Sequence, residues 1–184
     1  MKRNFIFAIL VLVLILTSFY FIPKNNPYDF SLRSEFGEQT TLKNFRGKKL
    51  VVYFGYTFCP DVCPATLALL SQTLNKIKND KAYLLFISLD PQRDKDIEKT
   101  NEWLRYFYPH ATSLIAKNEK ELEKLTKNYG VIYEKIDLKD SVMQYSIAHS
   151  NEIYLIDEQG KFQKALKDLN PEELFKDLKA FLQD

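Results

Sequence analysis

Two cysteines, Cys59 and Cys63, stand four positions apart in Cys-Pro-Asp-Val-Cys and are the only thiols in a chain of 184 residues. Pro64 follows directly, and proline suits the first turn of a helix. Leu67, Leu70, Leu74 and Ile77 then recur at helical spacing. A helix starting near Pro64 leaves both thiols at its N-terminal end, where free N–H groups and the positive dipole end favour thiolate over thiol. Two thiolates so placed can cycle as a disulfide, hold a soft metal such as Cu(I), or do both in turn. An inert disulfide is the plainer alternative, because the cysteine count is even. A structural staple, however, more usefully joins distant segments, and closing a loop of about five residues removes little chain entropy. Zinc is a poor fit. A four-thiolate site is impossible, and a mixed site would consume both cysteines and both histidines, His110 and His149.

The flanking segments must position these thiols. Residues 50–56 (Leu-Val-Val-Tyr-Phe-Gly-Tyr) are dense in β-branched and aromatic side chains and read as a buried strand running into the cysteines. Residues 82–89 make a second such strand, and residues 112–115, 131–136, 153–156 and 161–166 make shorter ones. Between them, Asp94 is expected to cap a helix carrying Ile97, Trp103, Leu104 and Phe107, and Asn118 a helix stopped by Gly130. Asn170-Pro171-Glu172-Glu173 opens a last helix with a cap, a proline and an acidic first turn. Residues 30–32 and 40–42 read as short strands ahead of this series. Alternating strands and helices followed by a terminal hairpin and helix predict a mixed-sheet α/β domain of thioredoxin-like fold, with an N-terminal β extension. The cysteines then sit at the carboxyl end of a strand, where open α/β sheets bind ligands.

Residues 5–22 form an 18-residue run without charge, preceded by Lys2 and Arg3. Such a helix would span about 27 Å, close to the hydrocarbon thickness of a bilayer. Its exit is bulky and aromatic (Phe19 to Ile22) where a cleaved signal would show small residues, so residues 1–23 are expected to be a single transmembrane anchor. The basic pair places the N-terminus in the cytoplasm and the following domain, residues 30–184, in a periplasm, joined by a tether at residues 24–29. The chain carries 26 Lys and Arg against 24 Asp and Glu, and without Lys2 and Arg3 the balance is 24 to 24. A neutral body lacks the basic footprint of a nucleic-acid binder. With five glycines and no glycine-rich phosphate loop, nucleotide binding has no motif either.

Gly55-Tyr56-Thr57-Phe58-Cys59-Pro60-Asp61-Val62-Cys63-Pro64 resembles the Sco/SenC family of copper-binding assembly factors. So do residues 45–48 (Phe-Arg-Gly-Lys), residues 88–94 (Ser-Leu-Asp-Pro-Gln-Arg-Asp) and residues 145–150 (Tyr-Ser-Ile-Ala-His-Ser). The resemblance runs in order over residues 28–182. By itself His149 reads as an ordinary surface or core histidine. The resemblance implies that it is a third copper ligand beside Cys59 and Cys63, a set that suits Cu(I) and, through the imidazole, Cu(II). The family usually carries an acidic residue just before this histidine, whereas this chain has Ala148, which removes a candidate supporting partner. His110 reads as a solvated loop residue, Met143 and Asp61 as packing and loop residues, and Asp90 and Arg93 as possible supports of the site.

The resemblance implies a membrane-tethered, non-enzymatic chaperone that delivers one copper to the copper-containing subunit of a respiratory oxidase, typically subunit II of cytochrome c oxidase. Copper donors or thiol reductants would be its other partners. A thiol-disulfide reductase that keeps partner cysteines reduced is the alternative, with Cys59 attacking and Cys63 resolving. A peroxiredoxin-like peroxidase fits least, for want of a clear Thr-x-x-Cys signature.

Overall fold

The computed structural model describes residues 26–183. The expected anchor at residues 1–23 lies outside them, and among the described residues no helix is long and apolar enough to cross a membrane.

At the centre is β3 (Lys49–Gly55), buried along its whole length. It pairs in parallel with β4 (Ala82–Ser88), which pairs in parallel with β5 (Ala111–Leu114). On its other side it pairs antiparallel with β8 (Ile153–Ile156), and β9 (Phe162–Leu166) closes the sheet as the expected hairpin. The order is therefore β5-β4-β3-β8-β9, a mixed sheet. A strand this deep must be apolar on both faces, which is why residues 50–54 read as a continuous hydrophobic run. Burying each such Leu, Val or Phe stabilises the fold by about 1.5–3 kcal/mol.

The helices α1 (Val62–Ile77), α2 (Ile97–Phe107), α3 (Glu119–Tyr129) and α4 (Pro171–Gln183) cover the sheet. Tyr53 and Phe86 face α2, where Trp103 meets the Phe86 ring edge-on at 5.6 Å. The opposite face is filled by an aromatic cluster in which Tyr129 of α3 packs on Phe54 and Tyr154. The ammonium of the buried Lys49 donates to the Phe181 carbonyl at 2.8 Å, satisfying an end group of α4.

Two smaller hairpins complete the molecule. The N-terminal extension is β1 (Leu32–Ser34) with β2 (Gly37–Thr40), bridged to the sheet through Arg33 and Ile115. It overlaps the two segments expected as strands only at Leu32 and Thr40, and residues 42–45 are instead a 3-10 turn capped by Thr41. Asn26 to Asp29, in the stretch read as a tether, pack on the domain: Tyr28 stacks on Phe162 at 4.3 Å. The second hairpin joins β6 (Tyr133–Asp137) to β7 (Tyr145–His149) in a separate two-stranded sheet. His149 thus ends a strand that the sequence had not singled out.

Asp94 is not the cap of α2. Asp96 holds that place and accepts from the Lys99 N–H, while Asp94 is buried beneath the cysteine loop. Two acidic residues two positions apart in the same turn look alike in sequence, and only the packing of Thr57 and Ser88 around one of them tells them apart.

Candidate metal and redox site

β3 delivers the chain to the site, and a turn in which the Cys59 N–H donates to the Tyr56 carbonyl brings it into α1. The helix begins at Val62, a little before the expected start, so Cys63 lies inside its first turn and is fully buried while Cys59 is half-buried. Both are free thiols. The Cys63 N–H points at the Cys59 sulfur, 3.4 Å away. Partial burial pushes the Cys59 thiol up, but the N–H groups of Cys63 and Asp61 outweigh it and hold the thiol below its ordinary value. Cys63 goes the other way. Burial pushes its thiol up to about 12, against the expectation that the helix start would favour thiolate at both positions.

His149 reaches the same point from β7. Its Nε2 lies 3.4 Å from the Cys63 sulfur. Its Nδ1 lies 2.9 Å from the Ser150 carbonyl, which can only accept, so the proton is on Nδ1 and the Nε2 lone pair faces the sulfur. Burial lowers the pKa of the imidazole and keeps it neutral. The ring sits between Tyr53 and Tyr56, with centroids 6.4 and 6.2 Å away. Tyr56 also fixes the strand, because its hydroxyl accepts the Ile147 N–H at 3.2 Å. Asn151 and Thr66 bond to each other just beyond, tying the segment after His149 to α1.

Gly55 is required by close approach. A Cβ there would meet Phe86 at 3.0 Å, the Cys63 sulfur at 3.1 Å and Tyr53 at 3.2 Å. The Tyr53 hydroxyl is buried with no hydrogen-bond partner among the described residues. The arrangement is two-plus-one: Cys63 and His149 are in contact, and Cys59 rests one turn away on a backbone amide. Among the described residues, no three His, Cys, Asp or Glu side chains are gathered as a ready-made metal cage.

A model of the SCO1/SenC family matches residues 23–183. The chain belongs to that family. It is 33% identical over 155 residues to an SCO2-like protein of Rickettsia felis, covering 83% of this chain and 75% of the relative. To the mitochondrial SCO1 homolog 1 of Arabidopsis thaliana it is 36% identical over 138 residues, covering 73% of this chain but only 40% of the relative. Among solved structures it resembles Arabidopsis thaliana ScoI with copper bound, with a TM-score of 0.75 and 31% identity over 84% of this chain and 96% of the other. The thioredoxin-like fold with its β extension is thereby confirmed.

In this SCO1/SenC member Ala148 is exposed, opposite Glu134 across the hairpin. Side chains alternate along a strand, so position 148 points away from the face that carries His149. The Nδ1 proton is held instead by the Ser150 carbonyl. His110 is exposed and packs on Tyr108 outside the site. Met143 contributes its main-chain carbonyl, an acceptor for Arg93. Asp61 is exposed, and its N–H supports the Cys59 sulfur.

Sequence reasoning did not find the roles of Tyr56 and Tyr53, because aromatics in a buried strand signal only burial. A cavity of about 1230 Å³ beside the hairpin, lined in part by Tyr133, Tyr145 and Ile147, has five basic and five acidic side chains in its walls and selects neither sign of charge.

Proposed function

We propose that this chain is a copper-binding assembly factor that takes one copper through Cys59, Cys63 and His149 and passes it to the copper-containing subunit of a respiratory oxidase. The observation that carries the reading is the Nε2 lone pair turned onto the Cys63 sulfur at 3.4 Å, with the second thiol four residues away at the helix start. Two thiolates and an imidazole are the donors a soft monovalent copper prefers, and the imidazole extends the site to Cu(II). Cys59 supplies the entry point, being accessible and already inclined to thiolate. Cys63 gives up its proton when a cation replaces it, so loading releases protons. The resemblance to Arabidopsis thaliana ScoI, solved with copper bound, supports copper as the metal. Residues 1–23 would anchor the domain in the inner membrane, facing the periplasm, where copper and client meet. Transfer by ligand exchange needs no catalytic turnover.

The test is an anaerobic copper titration of the full chain, reduced and oxidised. The reduced chain is expected to take up one copper, and the Cys59–Cys63 disulfide form essentially none. Equal uptake by both forms would overturn the ligand assignment.

The asymmetry of the two thiols supports a second reading, thiol-disulfide exchange, in which the accessible Cys59 attacks a partner disulfide and the buried Cys63 resolves the mixed disulfide. The partner disulfide is reduced and Cys59–Cys63 oxidised, so a thiol reductant must restore the pair.

A further inference from the structure

The three donors come from two separate pieces of structure. Cys59 and Cys63 belong to the β3–α1 junction of the main sheet, whereas His149 sits on the two-stranded β6–β7 hairpin, outside that sheet. Something must hold the hairpin in register with the helix. Tyr56 and the Thr66–Asn151 pair tie the end near His149, and the turn after β4 supplies the tie at the start of β7. Arg93 donates from Nη1 and Nη2 to the Tyr145 carbonyl, both at 3.2 Å, and from Nη2 to the Met143 carbonyl. Its guanidinium lies 3.4 Å from the centre of the Tyr145 ring and 5.2 Å from that of Phe58, the residue next to Cys59. Its Nε is 3.6 Å from Asp90, whose buried carboxylate accepts the Tyr145 hydroxyl at 2.9 and 3.0 Å. The anchorage continues inward. The Asp90 N–H donates to Ser88 Oγ, Ser88 donates to Asp94, and Asp94 accepts from the Thr57 hydroxyl two residues before Cys59.

We propose that Arg93 is the positioning residue that clamps the His149 strand to the cysteine loop, so that the third donor stays at the thiols. A planar fork can serve two carbonyls at once while its faces stack on aromatic rings, which a lysine ammonium cannot do. Bonds from a charged donor to carbonyls are also stronger than neutral ones. The clamp is a property of the metal-free chain. Its bearing on copper rests on the ligand reading above.

The experiment compares the full chain with Arg93→Ala, Arg93→Lys and His149→Ala. Amide exchange of β7 in the reduced, metal-free chain is expected to rise about 10- to 100-fold in Arg93→Ala, matching the loss of charge-assisted hydrogen bonds. Arg93→Lys, which keeps the charge and the stem and so guards against a folding defect, should also exchange faster than wild type. With Cu(II) added, both Arg93 variants should weaken the nitrogen coupling in the electron paramagnetic resonance spectrum, toward that of His149→Ala. The thiolate-to-copper absorption should survive. Wild-type exchange rates in β7 of both Arg93 variants would overturn the clamp. Faster exchange with unchanged nitrogen coupling would overturn its role in placing the donor. If wild type itself showed no coupling that His149→Ala removes, the ligand reading would fall, and the exchange rates would still decide the clamp.

Discussion

Cys59, just ahead of α1, and Cys63, in its first turn, are held on opposite sides of the ordinary thiol range, one by amide donors and the other by burial. Alkylation of the reduced, metal-free chain should therefore be sequential. Cys59 is expected to react at a rate that levels off below the usual thiol pKa of about 8.5. Cys63 should stay slow until the pH nears 12, which mass mapping of a pH series of short labelling pulses would read. His149→Ala removes one donor and leaves both thiols in place. It should lower copper affinity by at least the roughly 10- to 100-fold that loss of a supporting partner costs elsewhere. Oxidase maturation should be lost while most disulfide-reductase activity in vitro is kept. Normal maturation with this variant would favour the exchange reading. Asp94 gives a pH signature of another kind. Burial raises its pKa, so the folded chain keeps the proton to higher pH than the unfolded chain does. Its contribution is fully present below about pH 4 and is lost as the pH rises through the raised value. Urea unfolding at a series of pH values should show that fall in wild type and not in Asp94→Asn, whatever the offset between them.

At the scale of elements, the site depends on how closely β3 can approach α1. Gly55→Ala would force a methyl against Phe86, Tyr53 and the Cys63 sulfur. Overpacking of this kind costs about 1–3 kcal/mol, or a fall in Tm of about 2–12 °C in a chain of this size, with weakened copper uptake alongside. A Tm within a degree of wild type would mean that the strand and helix part easily. The same elements show what can be read before the structure is known. β3, β4 and α1 were legible because their patterns are local: a wholly apolar run and a leucine repeat. The cysteines were legible because position at a strand-to-helix junction is itself chemistry. β7 was not, since Tyr-Ser-Ile-Ala-His has a single buried residue, Ile147, and pairs only with the largely exposed β6. The clamp escaped for a deeper reason. Arg93 meets Tyr145 across 52 residues, and no local periodicity records which carbonyl a guanidinium will find.

For the whole molecule, the expected anchor makes a claim that can be settled directly. The mature chain should retain residues 1–23 by mass, fractionate with membranes, and carry a periplasm-directed reporter in active form after Asp184. An N-terminus near Pro23 would mean a cleaved signal and a freely diffusing domain. The placement of His149 on its own hairpin has another consequence. Cys63 and His149 are 86 positions apart. A metal held by both would close a loop of that length, and would restrict the unfolded chain as a cross-link does. On a chain-entropy estimate such closure is worth about 4–5 kcal/mol. Loading would thus register as a change in the durability of the whole domain, with the metal-free form yielding first to proteases at the β6–β7 hairpin. A client that draws the copper away would leave behind a chain marked for its emptiness by its own fragility.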